Sequence, residues 1–96
     1  MSEMDFTWDD KKNSTNKSKH GISFEEASSA FSDENARLKH DQQHSYNEDR
    51  FILLGFSSRL RILIVCHVYR TDETEIRIIS ARKATKNERK QYGSFL

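Results

Sequence analysis

Positive charge collects where the last apolar run of the chain gives way to a helix-start signature. In "IISARKATKNERKQY", residues 78–92, Arg82 and Lys83 follow the β-branched run at once, and Lys86, Arg89 and Lys90 come after them. Guanidinium and ammonium groups at that density suit a phosphate, and a row of phosphates suits them better. Thr85 and Glu88 make a capping box, so a helix begins there, and the free N–H groups of its first turn attract anions. Glu88 partly neutralises that attraction. On this helix Lys86, Arg89 and Lys90 share one side, with Tyr92, Phe95 and Leu96 roughly opposite. A solvated face chosen for solubility would account for the lysines alone. Arg77 speaks against it. In "TEIRIISA" alternation puts Ile76, Ile78 and Ser80 on one face and Glu75, Arg77, Ile79 and Ala81 on the other. Arg77 then interrupts a face that otherwise reads as buried, and it needs a carboxylate or a phosphate.

His67 raises a second possibility. In "LRILIVCHVY" the residues Arg61, Leu63, Val65, His67 and Tyr69 point one way, mixing polar tips with apolar bodies as a cleft floor would. An imidazole there suits proton transfer near neutrality, although a hydrogen-bonded sheet histidine fits the pattern equally well. "HDQQH", His40 to His44, places two histidines four apart, but zinc takes three or four protein ligands and no third is evident. That stretch reads as a polar loop, and no metal is expected. There is no Gly-rich phosphate loop, no G-x-S-x-G elbow and no Cys-x-x-Cys pair, so nucleotide-cofactor and thiol enzymes fit poorly. No cofactor is implied.

The elements that must position these groups are few. Ninety-six residues make one domain, residues 1–96, with 34% apolar and 32% charged residues and a net charge of only +1. Bulk charge therefore says nothing about nucleic acid; its distribution has to. The lone Cys66 allows no disulfide within the chain, which fits a reducing compartment. The N-terminus lacks a signal-peptide pattern and no apolar run is long enough to span a bilayer, so a cytoplasmic protein without a membrane partner is expected.

"MDFTW" alternates as a short half-buried strand with Met4, Phe6 and Trp8 on one side. "DDKKNSTNKSKH", residues 9–20, holds no apolar residue, so periodicity leaves a solvated helix or a loop, with Asp9 or Asp10 as cap and Gly21 as stop. "SFEE" is a capping box in which Ser23 caps and Glu26 reaches back, and Phe24, Ala27, Ala30 and Phe31 share a face of a short helix ending near Ser32 and Asp33. "ARLKH" is at best an edge strand, and "DQQHSYNED" reads as a surface loop. "RFILLGF" and "LRILIVCHVY", joined by "SSR", and then "TEIRIISA" form an antiparallel meander before the final helix. The expected class is α+β, with the helices on one face of an antiparallel sheet.

The ordered blocks "FTWDDKKNSTNKSKHGISFEEASSAFSD", "HSYNEDRFILLGFSSRLRILIVCHVYR" and "IRIISARKATKNERKQY" span nearly the whole chain. They resemble the BrnT toxins of bacterial type II toxin–antitoxin systems, whose pattern includes F-x-W-D-x-x-K-N, K-H-G-[VI]-S-F-E-E-A and F-x-D. The resemblance implies a RelE-like fold with two N-terminal helices and one C-terminal helix packed on the sheet, and helix over residues 10–20. It implies a ribonuclease that inhibits translation. It also implies a BrnA-type antitoxin with a ribbon-helix-helix region, a heterotetramer that represses its own operon, and DNA contact only through that antitoxin. Metal-independent RNA cleavage needs a base, cations for the phosphorane and an acid. On this reading Arg77, Arg82 and Lys83 hold phosphate and transition-state charge, and His67 or Glu88 is the base. Tyr92 or His20 assists proton transfer or stacks on a base, and Lys86, Arg89 and Lys90 contact RNA. The alternative is a protein-binding module without catalysis. Direct nucleic-acid binding without a partner is weakened by the near-neutral charge and the lack of a helix-turn-helix pattern.

Overall fold

The computed structural model describes residues 4–70 and 73–93. The elements run β1 (Asp5–Thr7), α1 (Asp10–His20), α2 (Phe24–Ser29), β2 (Arg37–His40), β3 (Phe51–Phe56), β4 (Ile62–Arg70), β5 (Glu75–Lys83) and α3 (Lys86–Gly93), with single 3₁₀ turns at Ala30–Ser32 and Gln42–His44. Phe95 and Leu96, expected on the apolar side of α3, lie outside the described residues. No described helix is long and apolar enough to cross a membrane.

Among the described residues the strands form one sheet in the order β1-β5-β4-β3-β2. The β2–β3, β3–β4 and β4–β5 pairs are antiparallel, as the short links demand. β1 instead runs parallel to β5, pairing Phe6 with Ile76, and the Thr7 hydroxyl donates to Glu75 at 2.7 Å. The sheet is therefore mixed, which corrects the purely antiparallel expectation. Alternation reveals which face a strand buries but not which distant strand it joins.

One face is closed. Leu53, Leu63, Val65, Ile76, Ile78 and Ala81 pack there under Ile22, Phe24, Ala27 and Ala30 of α2 and its flanks, and Phe6, Trp8 and Phe31 seal the margin. Gly55 lets the 3₁₀ turn approach closely, since a Cβ there would meet the Ala30 carbonyl oxygen at 2.9 Å. Among the described residues the opposite face carries a small cluster of Leu54, Ala84 and Tyr92 with Ile62 and Ile64, brought together by α3. So the helices are not gathered on one face as expected: α2 covers one, and α3 covers part of the other.

A register shift at Cys66/His67 decides which residues of β5 share a face. Cys66 pairs with Ser80 but His67 pairs with Ile78, so Ile79 is an extra residue and the alternation reverses across it. Regular alternation groups Arg77 with Ala81. In the structure Ala81 is buried with Ile76 and Ile78, and Arg77, Ser80 and Arg82 share the other face.

α1 forms although it has no apolar stripe. The Asp9 carboxylate accepts the Lys12 N–H at 3.0 Å, and Gly21 ends the helix at φ 73°. Its attachment to the sheet is polar. The buried Asn16 side chain donates to the carbonyl oxygens of Ile22 and Ala81, both at 2.8 Å, and accepts the Ala81 N–H at 3.1 Å. Asn16 thus takes the place of a neighbouring strand where β1 has ended.

α2 departs from the expected capping box in one respect. Ser23 Oγ accepts the Glu26 N–H at 3.1 Å, but Glu26 does not reach back. It is buried, paired with the Arg61 guanidinium through both carboxylate oxygens, and accepts the Ser57 hydroxyl at 2.7 Å. Burial opposes its charge, but these hydrogen bonds outweigh burial and hold its pKa below the ordinary value.

Replacing Asn16 by Ala strands one buried N–H and two carbonyls, so a loss of about 2–4 kcal/mol in unfolding free energy is expected by urea denaturation. Asn16→Asp restores only the acceptor and should remain destabilised; wild-type stability in either variant would refute this role.

Candidate active site

The open face is built from alternate residues of four strands and the buried side of α3. Leu54 pairs with Ile64 and Ile64 with Arg82, so one row of side chains runs from β3 through β4 to β5. Arg37 pairs with Leu54 and Lys39 with Ile52, which extends the row to the edge strand β2. Together with Glu88 and Gln91 of α3 these residues line a cleft of about 150 Å³ with an apolar floor and a basic rim. Such a floor excludes water while the rim supplies positive charge, a setting in which electrostatics act strongly.

Arg82 is paired with a carboxylate on α3. Glu88 grips it through two hydrogen bonds, from Nη1 at 2.7 Å and Nη2 at 3.0 Å. The capping box of α3 closes as expected: the Glu88 N–H donates to Thr85 Oγ1 at 3.2 Å, and the Thr85 N–H donates to Glu88 Oε1 at 2.8 Å. The Arg82 hydrogen bonds, aided by the Thr85 N–H, push the Glu88 carboxyl from 4.5 down to about 2. A carboxylate that acidic is a poor proton acceptor; its work here is to fix the guanidinium.

Tyr92 is buried and its hydroxyl donates to Asp33 Oδ2 at 2.6 Å, which also accepts the Phe56 N–H at 2.8 Å. Burial, then the Asp33 hydrogen bond and charge, raise the phenol from 10.0 to about 12. Tyr92 therefore anchors α3 to the sheet.

His67 occupies the opposite, closed face with 0% exposure. Nδ1 donates to the Val65 carbonyl at 3.0 Å, Nε2 lies 3.3 Å from the Tyr69 hydroxyl, and Phe31, Phe51 and Tyr69 surround the ring. Burial lowers its pKa, against the effect of the Val65 bond. The expected cleft floor is thus displaced to the other side of β4: Arg61, Leu63, Val65, His67 and Tyr69 face α2, and Ile62, Ile64 and Cys66 face the opening. The Cys66 thiol is pushed up by burial, away from the reactive thiolate.

The remaining candidates are not all brought to this side. Arg77 shares the face of Arg82 and pairs with Thr7; the Asp9 carboxyl is held low chiefly by the Lys12 N–H, with a smaller contribution from the Arg77 charge. Lys83 pairs with Leu63 at the end of β5, so its backbone position directs it to the other face from Arg82, and it is exposed. Lys86, Arg89 and Lys90 are exposed on α3, and Arg89 donates to the Ala84 carbonyl at 3.1 Å. His20 ends α1 beside β5, away from the cleft. Arg37 and Lys39 were not singled out as site residues. Their signal was available in "ARLKH", where two cations two apart share a strand face, but nothing local says which face that is.

His40 bonds Asp49 at 3.1 Å and His44 bonds Asp41 at 2.8 Å, so the two histidines have separate partners. Among the described residues no group of three or more His, Cys, Asp or Glu converges as a metal site would.

Fold and face together define a small α+β protein with a half-open basic cleft. The family model described as "Ribonuclease toxin, BrnT, of type II toxin-antitoxin system" matches residues 8–88, and the chain belongs to that family. Among solved structures, the Brucella abortus ribonuclease toxin BrnT is similar in fold, with a TM-score of 0.66, 24% identity, and coverage of 86% of this chain and 99% of that one. A search of the curated proteins finds no match.

The Glu88 shift makes a pH prediction. Its folded-state pKa of about 2 lies below 4.5, so its stabilisation is present above pH 4.5 and lost as pH falls towards 2. Arg82 is substantially exposed, so the contribution is about 1 kcal/mol or less. The stability gap between wild type and Glu88→Gln should hold above that window and shrink within it; a gap independent of pH would contradict the pairing.

Proposed function

We propose that the chain is a metal-independent endoribonuclease that cleaves RNA at the open face of a RelE-like fold and thereby inhibits translation. The observation that carries this reading is Arg82, held by Glu88 at an apolar floor, with Arg37 and Lys39 on the far rim of the same cleft. The 2′-oxygen attacks the neighbouring phosphorus, the bond to the 5′-oxygen breaks, and a 2′,3′-cyclic phosphate remains. Water takes the 2′ proton and returns one to the leaving oxygen. Arg82 and the rim cations stabilise the crowded phosphorane, the term that dominates in a preorganised site. Arg77 supports the same face from further along β5. Lys86, Arg89 and Lys90 on α3 contribute at its border as RNA contacts, and Lys83, directed to the other face, takes no part. Glu88 and Tyr92 are positioning residues, and the burial of His67 removes it from the scheme.

A type II system supplies an antitoxin, and we infer a BrnA-type ribbon-helix-helix partner in a heterotetramer that represses its operon, with DNA touched only through the partner. Among the described residues β2 is the outermost strand on its side of the sheet, and it contributes Arg37 and Lys39 to the rim, so a strand added there would also obstruct the cleft.

Incubation with RNA in excess chelator should still yield fragments with 2′,3′-cyclic phosphate ends; a strict need for divalent metal would refute the scheme. Arg82→Ala should lower cleavage about 10²–10³-fold, in the range of losing one oxyanion donor, while the variant stays folded. Arg77→Ala should fall less. Normal cutting by both variants would place the site elsewhere.

A further inference from the structure

A second groove runs between α1 and β5, and nothing in the cleavage scheme uses it. It encloses about 420 Å³ and is lined by Lys11, Lys12, Lys19 and His20 on one side and Ile79 and Ser80 on the other. Lys12, Asn16 and Lys19 follow at spacings of four and three, so they share the stripe of α1 that faces the sheet. On most helices that stripe is apolar and closed. Here only Asn16 is buried, and lysines stand exposed about 10 Å apart on either side of it.

Solubility and the helix dipole account poorly for this pattern. Lys19 and His20 lie in the last turn, where cations are favoured, but Lys11 and Lys12 lie in the first, where they are not. The acidic group on the groove wall is Asp9, whose carboxylate caps the Lys12 N–H and faces Lys12 and Arg77. Among the described residues no hydrogen bond or ion pair engages the Lys11 or Lys19 side chain. The groove lies on the cleft's side of the sheet: Ser80 in its wall shares a sheet face with Arg82, two residues or roughly 7 Å along β5.

We propose that this groove extends the substrate track, with Lys12, Lys19 and His20 holding phosphates of single-stranded RNA that continues past the cleft. The proposal rests on the reading of the open face as an RNA-cleaving site, and it adds a preference for longer RNA. Its test is a comparison of binding to 2′-O-methyl RNA of about twelve and about four nucleotides by wild type and Lys12→Gln/Lys19→Gln, across salt concentrations. Wild type should favour the longer RNA by about tenfold, and the double variant should lose most of that preference. The salt slope for the longer RNA should fall by about 1.4, two contacts at about 0.7 each. Lys19→Gln alone, at an exposed side chain, serves as a second variant if the double one folds poorly.

Unchanged affinity and slope for the longer RNA would overturn the proposal while leaving the cleavage reading intact if wild type cuts RNA. Loss of antitoxin neutralisation with unchanged RNA binding would overturn it too, assigning the groove to the protein partner. Conversely, if wild type binds the longer RNA but cuts none, the cleavage reading fails, and the variant's lost preference still supports the groove. Absence of RNA binding by wild type would sink both.

Discussion

The side-chain amide of Asn16 ties α1 to the sheet. β1 covers only the first residues of β5, and beyond it the edge of β5 would present unpaired backbone groups to α1. Asn16 meets the N–H and C=O of Ala81 together and secures the Ile22 carbonyl as well. A buried amide with all these groups matched is favourable; the same amide with one partner missing costs more than an apolar residue would. Because α1 meets the sheet through one polar residue rather than an apolar stripe, the rest of its sheet-facing side is free to carry lysines. The basic groove beside β5 is a consequence of that economy.

The two faces of the sheet divide the work. The closed face takes most of the large apolar side chains together with His67, and burial among them makes that histidine a structural group. The open face is left with thin cover and a row of cations. Confining the cover to α3 keeps the face accessible, and α3 is held by ties at its two ends: Glu88 to Arg82 near its start, Tyr92 to Asp33 near its finish. Both ties use groups that would otherwise be candidates for proton transfer. The same bonds that shift their pKa values away from neutrality are what order the guanidinium at the cleft.

Local signals carried much of the fold. The strands β3, β4 and β5 announce themselves by apolar runs, β-branched in β4 and β5, the caps at Ser23 and Thr85 by residue type and spacing, and Gly21 by its place after a polar stretch. α1 could not be separated from a loop by periodicity, since the interaction that docks it comes from a single asparagine and a strand 65 residues away. The parallel pairing of β1 was likewise hidden, because it depends on which edge of the sheet remains free after the meander forms. The site was half legible. Arg82 and its capping partner Glu88 stood in a readable stretch, whereas Arg37 and Lys39 lay in a weak edge-strand signal, and His67 pointed to the wrong face.

The sequence by itself determined the elements, the caps, the crowding of charge around β5 and α3, and the family, because each rests on neighbours along the chain. Only the tertiary structure decided which face of each strand is covered. One extra residue at Ile79 reverses the alternation of β5, so that Arg77 joins Arg82 and Ala81 joins the core. That choice is made by where α2 finds apolar surface to bury and where Asn16 finds a free strand edge. Both are contacts between residues far apart in the chain, which no local spacing encodes.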